Sequence, residues 1–184
     1  MKPSYYVLGT MSGTSLDGLD LAFCHFTKTD ADWDYKVIAA ATFPYERDLQ
    51  ERLAKATELS SYEFVKLDVD LARFMAQTIN TFLSGQEASP DFIASHGHTT
   101  FHQPAIGITS QIGSGAVLAA HTGITTVCDF RTVDVALGGQ GAPLVPTGDE
   151  LLFGQYDACL NLGGFSNISF RKDGRRIAFD ISPC

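Results

Sequence analysis

Apolar and polar residues alternate in three short runs near the start of the chain, which is the pattern of β-strands. The runs cover residues 5–9, 19–26 and 35–42. Because short polar segments separate them, we predict that they pair as an antiparallel meander. The segment between the first two runs, residues 10–18, is a loop rich in glycine and hydroxyl side chains.

Apolar residues take up helical spacing after the third run. The spacing covers residues 46–59 and 62–83, so two helices are predicted. One stripe of the second helix, predicted to be core, contains Phe64, Leu67, Leu71, Phe74, Met75, Ile79 and Phe82. Two short apolar strands follow at residues 92–95 and 124–128, with a helix predicted between them at 114–122. This alternation favours parallel strands with functional residues at their C-terminal ends.

The last part of the chain repeats the opening pattern. A glycine-rich turn at residues 138–143 is predicted to precede a short helix. Strand patterns then cover 158–162, 163–170 and 176–180, with a turn at Asp173 and Gly174. We therefore predict a duplicated fold, with a first lobe over residues 1–155 and the opening meander of a second over 156–184. That second unit is incomplete, since a few strands do not form a stable domain.

The composition narrows the classes of partner. The chain has 184 residues, 45% hydrophobic and 18% charged, and a formal net charge of −8. A nucleic-acid or anionic-membrane surface requires clustered Lys and Arg, so the sequence argues against both partners. The widely spaced Cys24, Cys128, Cys159 and Cys184 are predicted to be reduced, mostly buried thiols. With no apolar run near the roughly 20 residues of a membrane span, and no signal-peptide pattern, we predict a cytoplasmic protein.

Two glycine-rich loops, one near each end of the chain, call for a chemical explanation. Glycine lets the backbone approach an oxyanion, and Ser12, Thr14 and Ser15 in the first loop and Ser166 in the second add hydroxyl donors. The first loop is not a Walker P-loop, because no lysine follows its glycines. Either loop alone is compatible with a plain tight turn. The pair, with Asp17 and Asp20 near the first, favours nucleotide phosphates and magnesium.

The motifs of the chain resemble those of the anhydro-N-acetylmuramic acid kinases, in the same order and over nearly its whole length. The resemblance is carried by Met11-Ser12-Gly13-Thr14-Ser15-Leu16-Asp17-Gly18, Ser95-His96-Gly97-His98-Thr99, Gln111-Ile112-Gly113, Asp129-Phe130-Arg131, Gly138-Gly139-Gln140-Gly141-Ala142-Pro143-Leu144-Val145-Pro146 and Asn161-Leu162-Gly163-Gly164-Phe165-Ser166-Asn167. So many specific motifs in register make coincidence improbable.

The resemblance implies a fold and a reaction. The fold is α/β, an actin-like ATPase (ribonuclease H-like) lobe with a mixed sheet flanked by helices, followed by the start of a second similar lobe. Kinases of this family are roughly twice as long and hold sugar and ATP between two lobes. They hydrolyse the 1,6-anhydro bridge of anhydro-N-acetylmuramic acid and phosphorylate O6, giving N-acetylmuramic acid 6-phosphate for peptidoglycan recycling. The implied cofactors are ATP and Mg²⁺.

The resemblance also implies which residues bind the nucleotide and which residue is the base. Nucleotide contacts are expected from Gly13, Thr14, Ser15, Leu16, Asp17, Gly18, Leu19 and Asp20, and from Gly163, Gly164, Ser166 and Asn167 across the cleft. The family's catalytic aspartate lies in a Phe-Asp-x-Gly-Pro-Gly-Asn segment, which points to Asp180. This chain departs from that segment, because Phe179-Asp180-Ile181-Ser182-Pro183-Cys184 lacks the glycines.

Asp129 is the alternative base. It follows a buried strand, and an aspartate in a similar setting is the base in other sugar kinases of the superfamily. Asp129 also has plainer interpretations, as a helix cap or as a partner of Arg131. Asp134 is compatible with a solvated surface acid.

Substrate contacts are expected from His96, His98, Arg131 and Gln140. Arg131 suits the lactyl carboxylate of the sugar or a phosphate, although an ordinary salt bridge explains a lone arginine equally well. His96, His98 and His102 have a spacing that could suggest a metal. Since a loop at a strand end does not hold them on one face, we predict no metal bound by the protein alone.

Two other functions stay open at this stage. The chain could be a non-catalytic sugar- or nucleotide-binding fragment, since the part of the second lobe that would hold adenine lies beyond Cys184. A different sugar or acetate kinase of the superfamily fits the two loops but not the Asp129-Phe130-Arg131 and Gly-Gly-Gln-Gly-Ala-Pro segments. A homodimer is compatible with the sequence, which does not determine the oligomeric state.

Overall fold

The computed structural model describes residues 3–30, 32–162 and 165–183, which form nine strands and five α-helices. The strands are β1 (Ser4–Ser12), β2 (Leu19–Lys28), β3 (Trp33–Phe43), β4 (Phe92–Gln103), β5 (Ile108–Ile112), β6 (Thr126–Cys128), β7 (Ala158–Leu162), β8 (Phe165–Lys172) and β9 (Arg175–Pro183). The helices are α1 (Arg47–Ala54), α2 (Ser61–Leu83), α3 (Gly115–Thr122), α4 (Thr132–Ala136) and α5 (Val145–Leu152), with 3-10 turns at Ala56–Glu58 and Pro104–Ile106.

The first sheet has the order β3-β2-β1-β4-β5, with β6 also paired to β4. Strands β1, β2 and β3 form the predicted antiparallel meander. The first half of β4 is parallel to both β1 and β6, while its second half pairs antiparallel with β5. The sheet is therefore mixed, which confirms the α/β class and is consistent with an actin-like ATPase lobe.

Helix α2 covers one face of this sheet with the stripe seen in the sequence. Leu67, Leu71, Met75 and Ile79 are fully buried, while Phe64, Phe74 and Phe82 are partly buried against the same core. The sheet contributes Leu8, Leu19, Leu21, Phe23 and Ile93. Helix α2 begins at Ser61 because Ser60 and Glu63 form a capping box.

Several predicted elements differ from the structure at their boundaries. The loop predicted at residues 10–18 begins only after Ser12, because residues 10–12 pair with β2 as part of β1, and the strand predicted at 124–128 covers only Thr126–Cys128. The helix predicted over residues 46–59 ends at Ala54 and continues as a 3-10 turn, since Lys55 leaves the helical region with φ −106° and ψ 14°. The strand predicted at residues 92–95 runs on to Gln103, through the segment that we expected to be a loop. It is extended because Gly107, in the left-handed region at φ 75°, turns the chain back and provides β5 as a partner.

The second sheet is the antiparallel meander β7-β8-β9. Its predicted strands are confirmed, although β9 extends past Asp180 to Pro183. Helix α5 contacts both β3 and β9. On the second sheet it is held by Asp149, which accepts a hydrogen bond from Ser169, and by Glu150, which pairs with Arg171 and Arg176. The domain boundary between residues 155 and 156 stays a prediction.

Within the part of the chain that the structure describes, no helix is long and apolar enough to cross a membrane.

Candidate active site

The face of the first sheet opposite α2 carries a cavity of about 570 Å³. Its floor is made of small residues on four neighbouring strands, and its rim carries polar and aromatic groups. The lining residues are Gly9, Thr10, Met11, Asp20, Leu21, Ala22, Ala40, Ala41, Thr42, Ala94, His96 and Phe130. The small residues Gly9, Ala22 and Ala40 lie in one cross-strand row, so a ligand can come close to the backbone there.

The loop of residues 13–18 joins β1 to β2 beside this cavity. Its turn is closed by the N–H of Leu16, which donates to the carbonyl of Gly13 at 3.2 Å. Leu16 has a positive φ of 60°, an uncommon conformation for a leucine. Gln50 of α1 donates to the Leu16 carbonyl at 2.8 Å. The loop is thus tied to the helix layer, and Thr14 and Ser15 stay exposed.

Gly18 has a structural reason to be glycine. A Cβ added there would lie 2.4 Å from the carbonyl oxygen of Phe43. A side chain at residue 18 would therefore push the loop away from the end of β3. Gly13 has more room, because the nearest atom to an added Cβ is the Ser15 hydroxyl at 3.2 Å.

Two acidic residues lie in or beside the loop. The Asp20 carboxylate lines the cavity and accepts a hydrogen bond from Thr42 at 2.5 Å. Asp17 accepts one from Ser15 at 2.8 Å. In the described residues, no cluster of three or more His, Cys, Asp or Glu side chains is suited to a metal ion. Magnesium is often held by only one or two carboxylates together with substrate phosphates, and Asp17 and Asp20 fit that requirement.

A β-bulge in β4 separates two of the candidate histidines. Thr10 pairs with Ser95 and Ser12 with His98, so β4 contains one more residue than β1 in this interval. The extra residue is accommodated at Gly97, whose φ is 71°. A Cβ on Gly97 would lie 2.5 Å from the Ile112 carbonyl oxygen. As a result His96 faces the cavity, while His98 faces the helix side of the sheet and bonds to Ser12.

His96 forms a cluster with Arg131 and Gly141. The Nε and Nη2 groups of Arg131 lie 3.1 and 2.9 Å from His96 Nε2, and Nη1 donates to the Gly141 carbonyl at 2.6 Å. His96 Nδ1 lies 3.0 Å from the Gly97 carbonyl. Since the guanidinium only donates, Nε2 accepts and Nδ1 carries the proton. Burial lowers the pKa of His96, and the Arg131 charge lowers it further, which keeps the ring neutral.

Arg131 links the cavity rim to the glycine-rich segment of residues 138–141. Burial lowers the pKa of its guanidinium, whose ordinary value is far above neutral. Gln140 is exposed next to the Gly141 carbonyl. Asp134 accepts a hydrogen bond from the Gly141 N–H at 2.6 Å, so it does more than remain solvated at the surface.

Asp129 follows β6 in a conformation that is rare for residues other than glycine. Its φ is 59°, and its carboxylate accepts a hydrogen bond from the Thr132 N–H at 3.3 Å, near the start of α4. Arg131 bonds instead to His96 and Gly141. The next residue, Phe130, lines the cavity. Strained backbone of this kind is frequent at functional sites, which keeps Asp129 a candidate.

Asp180 lies on β9 directly opposite Asn167 of β8, and Asn167 lies opposite Asn161 of β7. The three therefore share one face of the second sheet. A register shift between Ser166 and Asn167 follows this row. Ser166 is buried and donates to the Ser182 carbonyl at 3.1 Å. Gly163 and Gly164 lie outside the described residues.

The family model for anhydro-N-acetylmuramic acid kinases matches residues 5–184. The chain belongs to the anhydro-N-acetylmuramic acid kinase family. It is 40% identical to the kinase of Haemophilus influenzae over 195 aligned residues, covering all of this chain and 50% of that protein. It is 42% identical to that of Paramagnetospirillum magneticum, covering 96% of this chain and 50% of the relative. For Synechococcus elongatus the identity is 41%, with coverage of 91% and 47%.

The chain spans about half the length of these curated kinases. The match includes both segments from which nucleotide contacts were expected, the loop of residues 13–18 and the start of the second meander.

Some residues of this candidate site were not identified from the sequence. Thr42 and Phe130 line the cavity, and Asn161 joins the row of Asn167 and Asp180. Asn161 and Phe130 lie within the motifs that carry the family resemblance, and this location could have indicated a role in the site. Thr42 gave no local signal, because its role depends on the pairing of β3 with β2.

Proposed function

We propose that this chain is the N-terminal half of an ATP-dependent, cytoplasmic kinase that acts on anhydro-N-acetylmuramic acid. The reaction hydrolyses the 1,6-anhydro bridge and phosphorylates O6, giving N-acetylmuramic acid 6-phosphate in cell-wall recycling. The observation that carries the proposal is the cavity on the small-residue face of the first sheet, bordered by Asp20 and beside the loop of residues 13–18. Family membership over residues 5–184 supports the substrate.

The proposed chemistry needs one proton acceptor. A carboxylate takes a proton from the water that attacks C1, the C1–O6 bond breaks, and O6 attacks the γ-phosphorus of ATP as ADP leaves. We propose Asp180 as this base and keep Asp129 as the alternative. The exposure of Asp180 on a polar sheet face and its cross-strand neighbour Asn167 favour it. The positive φ of Asp129 and its contact with α4 leave it the second candidate.

The phosphates would be held by exposed hydroxyls and backbone N–H groups of the loop, with Asp17 and Asp20 available for Mg²⁺. Gly163, Gly164, Ser166 and Asn167 would contribute from the second sheet. Arg131 would bind the lactyl carboxylate of the sugar, because a guanidinium already oriented by His96 and Gly141 loses little freedom when it binds. Gln140 and His96 lie next to Arg131 in the fold and would add polar contacts.

The test is the detection of phosphorylated sugar by mass spectrometry after incubation with Mg-ATP and anhydro-N-acetylmuramic acid. Two proteins are compared: this 184-residue chain, and a hybrid kinase in which it is joined to the C-terminal half of the Haemophilus influenzae relative. We expect product from the hybrid kinase. A hybrid that folds, by circular dichroism, yet forms no product would contradict the proposal, with the unmodified relative as positive control.

A non-catalytic binding fragment is the second candidate for the 184-residue chain itself, because it covers only half of its relatives. In that case the chain alone would bind Mg-ATP or the sugar in calorimetry without turnover. A homodimer remains a prediction that light scattering after gel filtration can check.

A further inference from the structure

We propose that Tyr45, Ser12 and His98 are positioning residues for the loop of residues 13–18. They form a buried chain of hydrogen bonds that fixes the point where the loop leaves β1. The proposal deepens the proposed function, on which it rests, because it explains how a glycine-rich loop is held ready for phosphates.

The chain of hydrogen bonds joins three separate parts of the sequence. The Tyr45 hydroxyl donates to Ser12 Oγ at 2.6 Å, and Ser12 Oγ lies 2.9 Å from His98 Nδ1. Ser12 is the last residue of β1, Tyr45 precedes α1, and His98 follows the bulge in β4. All three are buried, with exposures of 1%, 9% and 4% for Ser12, Tyr45 and His98.

Ser12 Oγ is the central group of this chain of hydrogen bonds. A serine hydroxyl has one proton and two acceptor sites, and Ser12 Oγ accepts from Tyr45 and forms a second hydrogen bond with His98 Nδ1. The tautomer of the neutral His98 ring sets which of the two atoms donates in that second bond. Burial lowers the pKa of His98, which favours the neutral ring. Each group in the chain thus has a partner, and replacement of one leaves another buried and unpaired.

Other contacts hold the middle and the far end of the loop. They are the bond from Gln50 to the Leu16 carbonyl, the packing of Leu16 against the core, and the close approach of Gly18 to the Phe43 carbonyl. His98 also lines a cavity of about 190 Å³ together with Thr14 and Leu16, so its ring and the loop border the same space. The position of Ser12 therefore sets where the loop starts.

The neighbouring strand provides a matched control. Ser95 of β4 is also 1% exposed and lies on the same side of the sheet, paired with Thr10. Its hydroxyl has no hydrogen-bond partner in the part of the chain that the structure describes. Ser12 and Ser95 are thus two equally buried serines on adjacent parallel strands, of which only the first is bonded to both a tyrosine and a histidine.

The first experiment measures backbone amide hydrogen exchange in the 184-residue chain. The test variants are Ser12→Ala, Tyr45→Phe and His98→Leu. Their matched controls are Ser95→Ala, Tyr62→Phe on the exposed surface of α2, and His102→Leu at an exposed position of β4. We expect exchange of the amides of residues 13–18 to rise about tenfold in the test variants and to stay unchanged in the controls.

The second experiment separates positioning from general stability in the hybrid kinase. The KM for Mg-ATP should rise about tenfold in the test variants, with the KM for the sugar and kcat little changed. His98→Asn, which keeps an amide that can donate or accept near the position of Nδ1, and Ser12→Thr, which keeps the hydroxyl, should restore the KM for Mg-ATP.

Unchanged exchange at residues 13–18 in folded test variants would overturn the proposal. A rise in amide exchange spread evenly over β1 and β4 would also overturn it. The same holds if His98→Asn and Ser12→Thr fail to restore the KM for Mg-ATP that His98→Leu and Ser12→Ala raise. An inactive hybrid kinase would count against the proposed function alone, because hydrogen exchange tests the positioning role without any ligand.

Discussion

The two antiparallel meanders share a topology and differ in what covers them. In β1-β3 the apolar face is buried, and Leu8, Leu21 and Phe23 are at most 2% exposed beneath α2. In β7-β9 the corresponding face contains Leu160, Ile168, Phe170, Ile177 and Phe179, as the register shows. Leu160 is 58% exposed and Phe179 50%. The same alternation thus produces a core in one place and an open apolar face in the other.

The difference follows from the helices. Helix α2 presents an apolar stripe to the first meander, whereas α5 meets the second meander through Asp149 and Glu150 on its polar face. Alternation determines which residues share a face, but only a packing partner determines whether that face is buried. Each sheet also contains one cross-strand row of residues that includes an aspartate. The row is Met11, Asp20 and Thr42 in the first sheet and Asn161, Asn167 and Asp180 in the second.

The largest expected effect is on kcat, and it shows which of the two regions supplies the base. In the hybrid kinase, Asp180→Asn in the second meander should lower kcat by about 10²–10⁴, with little change in the KM for the sugar, because the amide cannot accept the proton. Asp129→Asn in the first lobe should lower it less. Near-normal turnover in Asp180→Asn with collapse in Asp129→Asn would assign the base to the first lobe.

The next effect tests the difference in burial directly. Phe23→Ala should lower the free energy of unfolding by about 3–5 kcal/mol, because it leaves a cavity in a packed core. The matched change Phe179→Ala should lower it by less than about 1 kcal/mol, because half of that side chain is already in water. Urea unfolding followed by circular dichroism measures both. Equal losses would mean that the apolar face of the second meander is covered in solution.

A smaller effect concerns the first glycine loop. Gly13→Val should weaken Mg-ATP binding to the hybrid kinase by about tenfold, since a branched side chain stands where a phosphate must approach the backbone. Gly85→Val is the matched control, at an exposed glycine with open space around an added Cβ. Calorimetry gives both affinities. An unchanged affinity for Gly13→Val would show that this loop is only a turn.

The smallest expected effect is on the pH dependence of the free energy of unfolding, which covers a different pH range in each region. Burial lowers the pKa of His98 and of His96 from the ordinary value of 6.5, so the unfolded chain binds more protons just below that value. The free energy of unfolding should therefore fall as the pH drops below 6.5. His98→Leu should reduce this slope and His102→Leu should not. A slope that His98→Leu leaves intact would argue against a neutral, buried His98.

In the second region the relevant group is Glu150. Hydrogen bonds from Arg171 and Arg176 lower its pKa from 4.5 to about 2. Its contribution to stability is therefore present above pH 4.5 and is lost as the pH falls from there toward 2. Glu150→Gln should remove this acidic window, which unfolding curves at low pH can detect, and should leave the window near 6.5 unchanged.

The sequence by itself determined the elements whose pattern is local. The three opening strands, α2, α3 and the second meander lie close to their predicted positions, because alternation and helical periodicity depend only on neighbouring residues. The loop predicted at residues 10–18 was located for the same reason, although β1 continues through Ser12 and the loop covers residues 13–18. The motifs that carry the family resemblance, from Met11 to Asn167, also consist of contiguous residues, and the family match confirms that resemblance.

Only the tertiary structure decided where the side chains of the candidate site meet. The bulge at Gly97, which sends His96 and His98 to opposite faces, lies where β4 begins to pair with β5 as well as with β1. The contacts of Ser12 join residues 33 and 86 positions apart. The row of Asn161, Asn167 and Asp180 depends on strand register. A local pattern contains no information about these pairings, since they are set by packing and hydrogen bonds between segments distant in the chain.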